Sequence, residues 1–239
     1  MSAKEKIILA LDVSDVHYAL EIVGKFKDYV EIFKVGLELF TAAGPQVVHE
    51  INSREKKVFL DLKFHDISNT VIKAALNATR LGAYMFNLHA SGGLDMMRRC
   101  KDAVVDMCLK ENIPRPKLLG VTVLTGLSQE TLKDELGIHY SLRNHVKQLS
   151  KLSRQAGLDG VVASGHEVAL LRNHFGKGFI IVTPGIRTSW SPPDDQKRTM
   201  TPRQAVREGA DYIVLGRAVL SQSDPFKALE LITAEILTA

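Results

Sequence analysis

The 239-residue chain is 45% hydrophobic and 24% charged, a balance that fits one soluble domain with a substantial core. Its net charge is a modest +4, from 31 Lys+Arg against 27 Asp+Glu, and no dense Lys/Arg run occurs; this excludes a nucleic-acid tail and favours an anionic small molecule as partner. No stretch approaches the roughly 20 apolar residues needed to cross a bilayer, and the opening MSAKEKIILALD breaks off at an acid like a first strand rather than a signal peptide, so no membrane contact is expected and the cytoplasm is the expected compartment.

Apolar runs alternate with amphipathic segments from end to end, the pattern of an α/β chain with a parallel sheet. Strands are predicted at Ile7–Asp12, Glu31–Val35, Lys57–Leu62, Tyr84–Leu88, Lys117–Val123, Asp159–Ala163, Phe179–Val182 and Tyr212–Leu215. Eight such runs are what a single-domain (β/α)8 barrel over 1–239 requires. Helical spacing fills the intervals, as in Ala19, Ile22, Val23, Phe26 and in Val71, Ala74, Ala75, Ala78. Thr201-Pro202-Arg203-Gln204 combines an N-cap, a Pro at the first helical position and a capping-box Gln, and Asp224-Pro225 repeats the first two features. Two connections, Thr125 to about His145 and Pro184 to Thr201, are long, follow strands and are lid candidates on the C-terminal face. Cys100 and Cys108 lack metal-ligand spacing and read as buried free thiols, and the eight His form no metal motif.

Barrel closure brings the strand ends to one rim, where Asp12, Lys34, Asp61, Lys63 and Asp66 make an alternating set of three carboxylates and two ammonium groups. The centre of the set is the stretch FLDLKFHDISNT, Phe59 to Thr70, in which Asp61 and Lys63 share one face of a strand and Asp66 follows its end. Such a set is either a structural ion-pair network or an electrostatically preorganised site; at an effective dielectric of about 20, unit charges about 4 Å apart interact by roughly 4 kcal/mol. The loops after the last two strands read TPGIR, to Arg187, and LGR, Leu215 to Arg217, where glycine lets backbone N–H groups approach an anion and arginine adds a charged fork. His65 and His89 read as supporting hydrogen-bonding residues, and Trp190 as either a lid residue or an exposed aromatic.

In these residues the chain resembles the orotidine 5′-phosphate decarboxylases in their bacterial form. The resemblance runs through LALD (Leu9–Asp12), KVG (Lys34–Gly36), FLDLKFHDISNT, NLHASGG (Asn87–Gly93), VTVLT (Val121–Thr125), LDGVV (Leu158–Val162), VTPGIR (Val182–Arg187), DQKR (Asp195–Arg198) and LGR. DxKxxD alone is shared with a wider superfamily of phosphosugar enzymes; the ordered set is far more specific. The resemblance implies a homodimeric (β/α)8 barrel that decarboxylates orotidine 5′-monophosphate to UMP without cofactor or metal. It makes Lys63 the proton donor to C6 with Asp61 beside the departing carboxylate, and places Asp12 and Lys34 on the ribose hydroxyls, Lys34 also joining the charge array. Asp66 and Thr70 would cross the dimer interface into the neighbouring site. Thr125 would line the pyrimidine side, while Arg187, Gln196, Gly216 and Arg217 would hold phosphate or close the loop over it. Ser68 stands where many relatives have proline. Two rival readings are a Mg²⁺-dependent sugar-phosphate relative, of the keto-gulonate phosphate decarboxylase or hexulose phosphate synthase type, and a catalytically silent nucleotide-binding barrel.

Overall fold

The structure, a computed structural model, describes residues 2–188, 190 and 199–239. In chain order it runs α1 (Ala3–Lys6), β1 (Ile7–Ala10), α2 (Val16–Phe26), β2 (Ile32–Gly36), α3 (Leu37–Ala43), α4 (Gln46–Asn52), β3 (Lys57–Phe64), α5 (Ser68–Arg80), β4 (Met85–His89) and α6 (Gly93–Glu111). There follow β5 (Lys117–Val121), α7 (Leu142–Gln155), β6 (Gly160–Val162), α8 (Gly165–Phe175), β7 (Ile180–Thr183), α9 (Pro202–Glu208), β8 (Tyr212–Leu215), α10 (Arg217–Leu220) and α11 (Pro225–Leu237). The eight strands pair in parallel, each with the next, and β1 closes on β8. The predicted (β/α)8 barrel is the fold observed.

Alternation along each strand divides the apolar residues between two layers. Ile8, Ile32, Phe59, Met85, Leu119, Val182 and Tyr212 fill the barrel interior. The residues between them, such as Leu9, Phe33, Leu60 and Phe86, pack outward against the helices. The helical residues doing this are largely those of the predicted spacing: Ala19, Ile22, Val23 and Phe26 of α2 are buried, as are Val71, Ala75 and Ala78 of α5, while Ala74 is only half-buried. Cys100 and Cys108 are buried free thiols on α6, and burial pushes the Cys100 thiol up to about 12.

The N-terminal rim carries a repeated clamp. Asp159, just before β6, accepts the Leu118 N–H of β5 at 2.8 Å and is gripped by two Arg115 nitrogens at 2.6 and 3.0 Å. Asp211, just before β8, does the same for the Ile181 N–H of β7 at 2.8 Å and is gripped by Arg172 at 2.6 Å. Each carboxylate satisfies a strand-start donor and is itself neutralised.

Several strand limits differ from the predicted ones. β3 runs on to Phe64, because it carries two extra residues against β4: Leu60 pairs with Phe86, but Phe64 pairs with Leu88. β5 ends at Val121, so Thr125 is not at a strand end; it sits in the turn closed by the hydrogen bond from Leu127 N–H to the Leu124 carbonyl. The first long connection holds a π-helical turn over Thr131–Glu135. The second is pinned near its ends, where Arg187 N–H donates to the Met200 carbonyl and Met200 N–H to that of Gly185. At α9 the Thr201–Gln204 capping box forms as read, and at α11 the Asp224 carboxylate accepts the Lys227 N–H.

Candidate active site

The alternation that fills the barrel with apolar groups changes character near the C-terminal end. Ile8 is followed at the same phase by Ala10 and then Asp12, Ile32 by Lys34, Phe59 by Asp61 and Lys63, and Met85 by Asn87. The apolar floor is thus topped by a polar layer, which opens into a cavity of about 860 Å³ lined by Asp12, Lys34, Asp61, Lys63, Thr125, Arg187, Gly216 and Arg217 among others. That volume lies in the range of small-molecule sites, about 300–1,000 Å³.

Four of these side chains form a continuous ion-pair chain. Lys34 Nζ lies 2.7 Å from Asp12 Oδ1 and 3.6 Å from Asp61 Oδ2, and Asp61 Oδ1 accepts a hydrogen bond from Lys63 Nζ at 2.8 Å. Lys34 and Asp61 are 8% and 9% exposed, so neither charge could stand alone without a desolvation cost of several kcal/mol. Their mutual pairing makes the layer possible. Gly36 gives it room: a Cβ there would lie 2.7 Å from Lys34 Nζ and 3.3 Å from Asp12 Oδ1.

Lys63 takes a left-handed backbone conformation, φ +51°, unusual for a residue with a side chain. Its N–H donates to Asn87 Oδ1 at 2.8 Å, and Asn87 Nδ2 donates to Asp61 Oδ1 at 2.7 Å. Asn87 is fully buried and was not among the candidate residues read from sequence. The available signal was a polar residue on the inward phase of β4. At the rim beside it, the rings of His65 and His89 lie 5.1 Å apart, tilted by 34°, and burial, with the nearby His65 and Lys63 charges, pushes the His89 pKa down.

Eight of the predicted residues therefore meet in one cavity. Asp66 and Thr70 do not: both are exposed and outside its lining, with Asp66 Oδ1 accepting the Ile67 N–H at 2.6 Å. Gln196 lies outside the described residues. Trp190 is exposed. Gly216 is the residue before α10, and Arg217 its first. Among the described residues, no group of three His, Cys, Asp or Glu side chains is placed to hold a metal ion.

A layer of paired charges at the C-terminal mouth of a closed (β/α)8 barrel, sharing its cavity with two arginines, defines a barrel enzyme built for an anionic small molecule. Comparison with known proteins narrows the class. Residues 5–232 match the model of the orotidine 5′-phosphate decarboxylase / HUMPS family, and the chain belongs to that family. It is 48% identical over 236 residues to an orotidine 5′-phosphate decarboxylase of Moorella thermoacetica, covering 99% of this chain and 94% of that protein. An orotidine 5′-phosphate decarboxylase of Pelobacter propionicus is 48% identical over 235 residues, covering 98% and 96%. The crystal structure of orotidine 5′-phosphate decarboxylase from Lactobacillus acidophilus superposes with a TM-score of 0.84 at 35% identity, covering 97% of this chain and 99% of that one.

Proposed function

We propose that this barrel decarboxylates orotidine 5′-monophosphate to UMP, the last step of de novo pyrimidine synthesis, with Lys63 as the proton donor. The observation that carries this is the chain Asp12–Lys34–Asp61–Lys63 inside one cavity of a family member. The bond from C6 to the carboxylate breaks, CO2 leaves, and the electron pair remains on C6 as a vinyl carbanion. The Lys63 ammonium then gives C6 its proton and is reprotonated from water. With no electron sink in the ring, stabilisation comes from fixed charge. The Asp61–Lys63 hydrogen bond supports this by holding the ammonium at a set place before substrate arrives. Lys34 and Asp12 are suited to the ribose hydroxyls, Thr125 to the base, and Arg187, Gln196, Gly216 and Arg217 to the phosphate.

The working unit proposed is a homodimer in which Asp66 and Thr70 serve the partner's site. Their exposure outside their own cavity, beside Ile67, itself 74% exposed, supports this reading. The compartment proposed is the cytoplasm, in keeping with two free cysteines and with no helix among the described residues long and apolar enough to cross a membrane. Replacing Lys63 with Ala tests the assignment: CO2 release from orotidine monophosphate should be lost while UMP still binds. Turnover at the parent rate would remove Lys63 from the chemistry.

A further inference from the structure

Asn87 is buried on β4, makes no contact that secondary structure requires of its side chain, and touches both groups assigned to the chemistry. Between the pairs Leu60–Phe86 and Phe64–Leu88, β3 advances four residues while β4 advances two. The ladder therefore cannot serve every β3 backbone group in between. On its other side the Asn87 backbone is engaged in register with Leu119 of β5. The Asn87 amide fills the gap, its oxygen taking the Lys63 N–H that the shifted ladder leaves over, at the residue whose φ is +51°. Its NH2 group meets the same Asp61 oxygen that accepts the Lys63 ammonium. The orientation of the amide is unambiguous, since a carboxylate demands a donor and an N–H an acceptor. An aspartate at this position would keep the acceptor and lose the donor; an alanine would lose both.

We propose that Asn87 is the positioning residue of the decarboxylation: one amide holds the Lys63 backbone in its left-handed turn and fixes the Asp61 carboxylate against the Lys63 ammonium. The proposal rests on the assignment of Lys63 above. The Asn87 side chain bonds Asp61 and Lys63 and does not line the cavity, so its removal should act on the placement of the proton donor and not on the hold upon the nucleotide.

The test compares Asn87→Ala, Asn87→Asp and Lys63→Ala in the full chain, measuring kcat, KM and UMP affinity on protein whose folding is checked by circular dichroism and thermal unfolding. N87A is expected to lose about 100-fold or more in kcat, the cost of misplacing a reacting group by about 1 Å, with UMP affinity within about threefold of the parent. N87D should be equally slow at neutral pH and recover kcat as pH falls, because a protonated carboxyl at 87 again donates to Asp61. That recovery is a signature a purely structural role would not produce, and it decides the matter if N87A fails to fold. Parent-like kcat in N87A, parallel losses of kcat and UMP affinity, or an N87D pH profile matching the parent would each overturn the role of Asn87. If K63A itself keeps full turnover, the assignment of Lys63 falls first, and the role of Asn87 with it.

Discussion

At His89, half-buried behind the charge layer, the surroundings disfavour the imidazolium: burial does most, and the neighbouring His65 and Lys63 add to it. The sign for stability follows from linkage. A base whose folded pKa lies below its unfolded value binds its proton more readily when unfolded, so the contribution is whole above the ordinary histidine value of about 6.5 and is lost as pH falls from there to the folded pKa. Urea unfolding of the parent should therefore weaken across that window, and His89→Asn should flatten part of the slope. Identical slopes in the two proteins would mean that His89 titrates alike folded and unfolded. The same crowding of charge explains why Lys34 and Asp61 can be nearly inaccessible: each has an opposite charge within 4 Å, and Asp61 has the Asn87 amide as well.

At the scale of the elements, the clamps before β6 and β8 tie the N-terminal rim together. Arg172 of α8 donates to the Gly176, Phe179 and Gly209 carbonyls as well as to Asp211, tying α8, the entry to β7 and the turn into β8 with one side chain. Arg172→Ala would strip these carbonyls of that donor and leave the half-buried Asp211 carboxylate without its counter-charge, and should cost about 2–4 kcal/mol in chemical denaturation. Activity per folded molecule should stay at the parent level, since the clamp lies at the opposite end of the barrel from the cavity; a fall in kcat instead would couple the two ends. Elements were legible in the sequence wherever one periodicity held without interruption. The inward phase of β1, β2 and β3 could be read from Ile8, Ile32 and Phe59 on to Asp12, Lys34, Asp61 and Lys63, four charges that line one cavity. It failed where a strand departs from ideal pairing. The two extra residues of β3, the left-handed Lys63 and the resulting need for Asn87 depend on register between strands, which no single run of residues encodes. Thr125 was placed too near its strand because VTVLT keeps its alternation past Val121, where pairing stops.

For the whole molecule, the position of Asp66 outside its own cavity turns the dimer proposal into arithmetic. Lys63→Ala and Asp66→Ala should each be inactive alone. After subunit exchange of an equal mixture, half the dimers are hybrid and each hybrid holds one intact site and one doubly damaged site, so activity should return to about a quarter of the parent value. No recovery, despite demonstrated exchange, would confine Asp66 to its own subunit or remove it from function. Another consequence lies in the balance of the layer itself. Asp12, Lys34, Asp61 and Lys63 sum to zero charge around a buried Lys34–Asp61 pair, whereas Arg187 is half-buried and Arg217 exposed. Dissolved ions reach the arginines and not the buried Lys34–Asp61 pair, and at physiological ionic strength they screen exposed charges beyond about 8 Å. Raising KCl from about 0.02 to 0.5 M should therefore lower kcat/KM for the anionic substrate and leave kcat level. A parallel loss of kcat would put the layer within reach of the salt. With kcat level, the molecule is a catalyst that feels its ionic surroundings only while it waits for substrate.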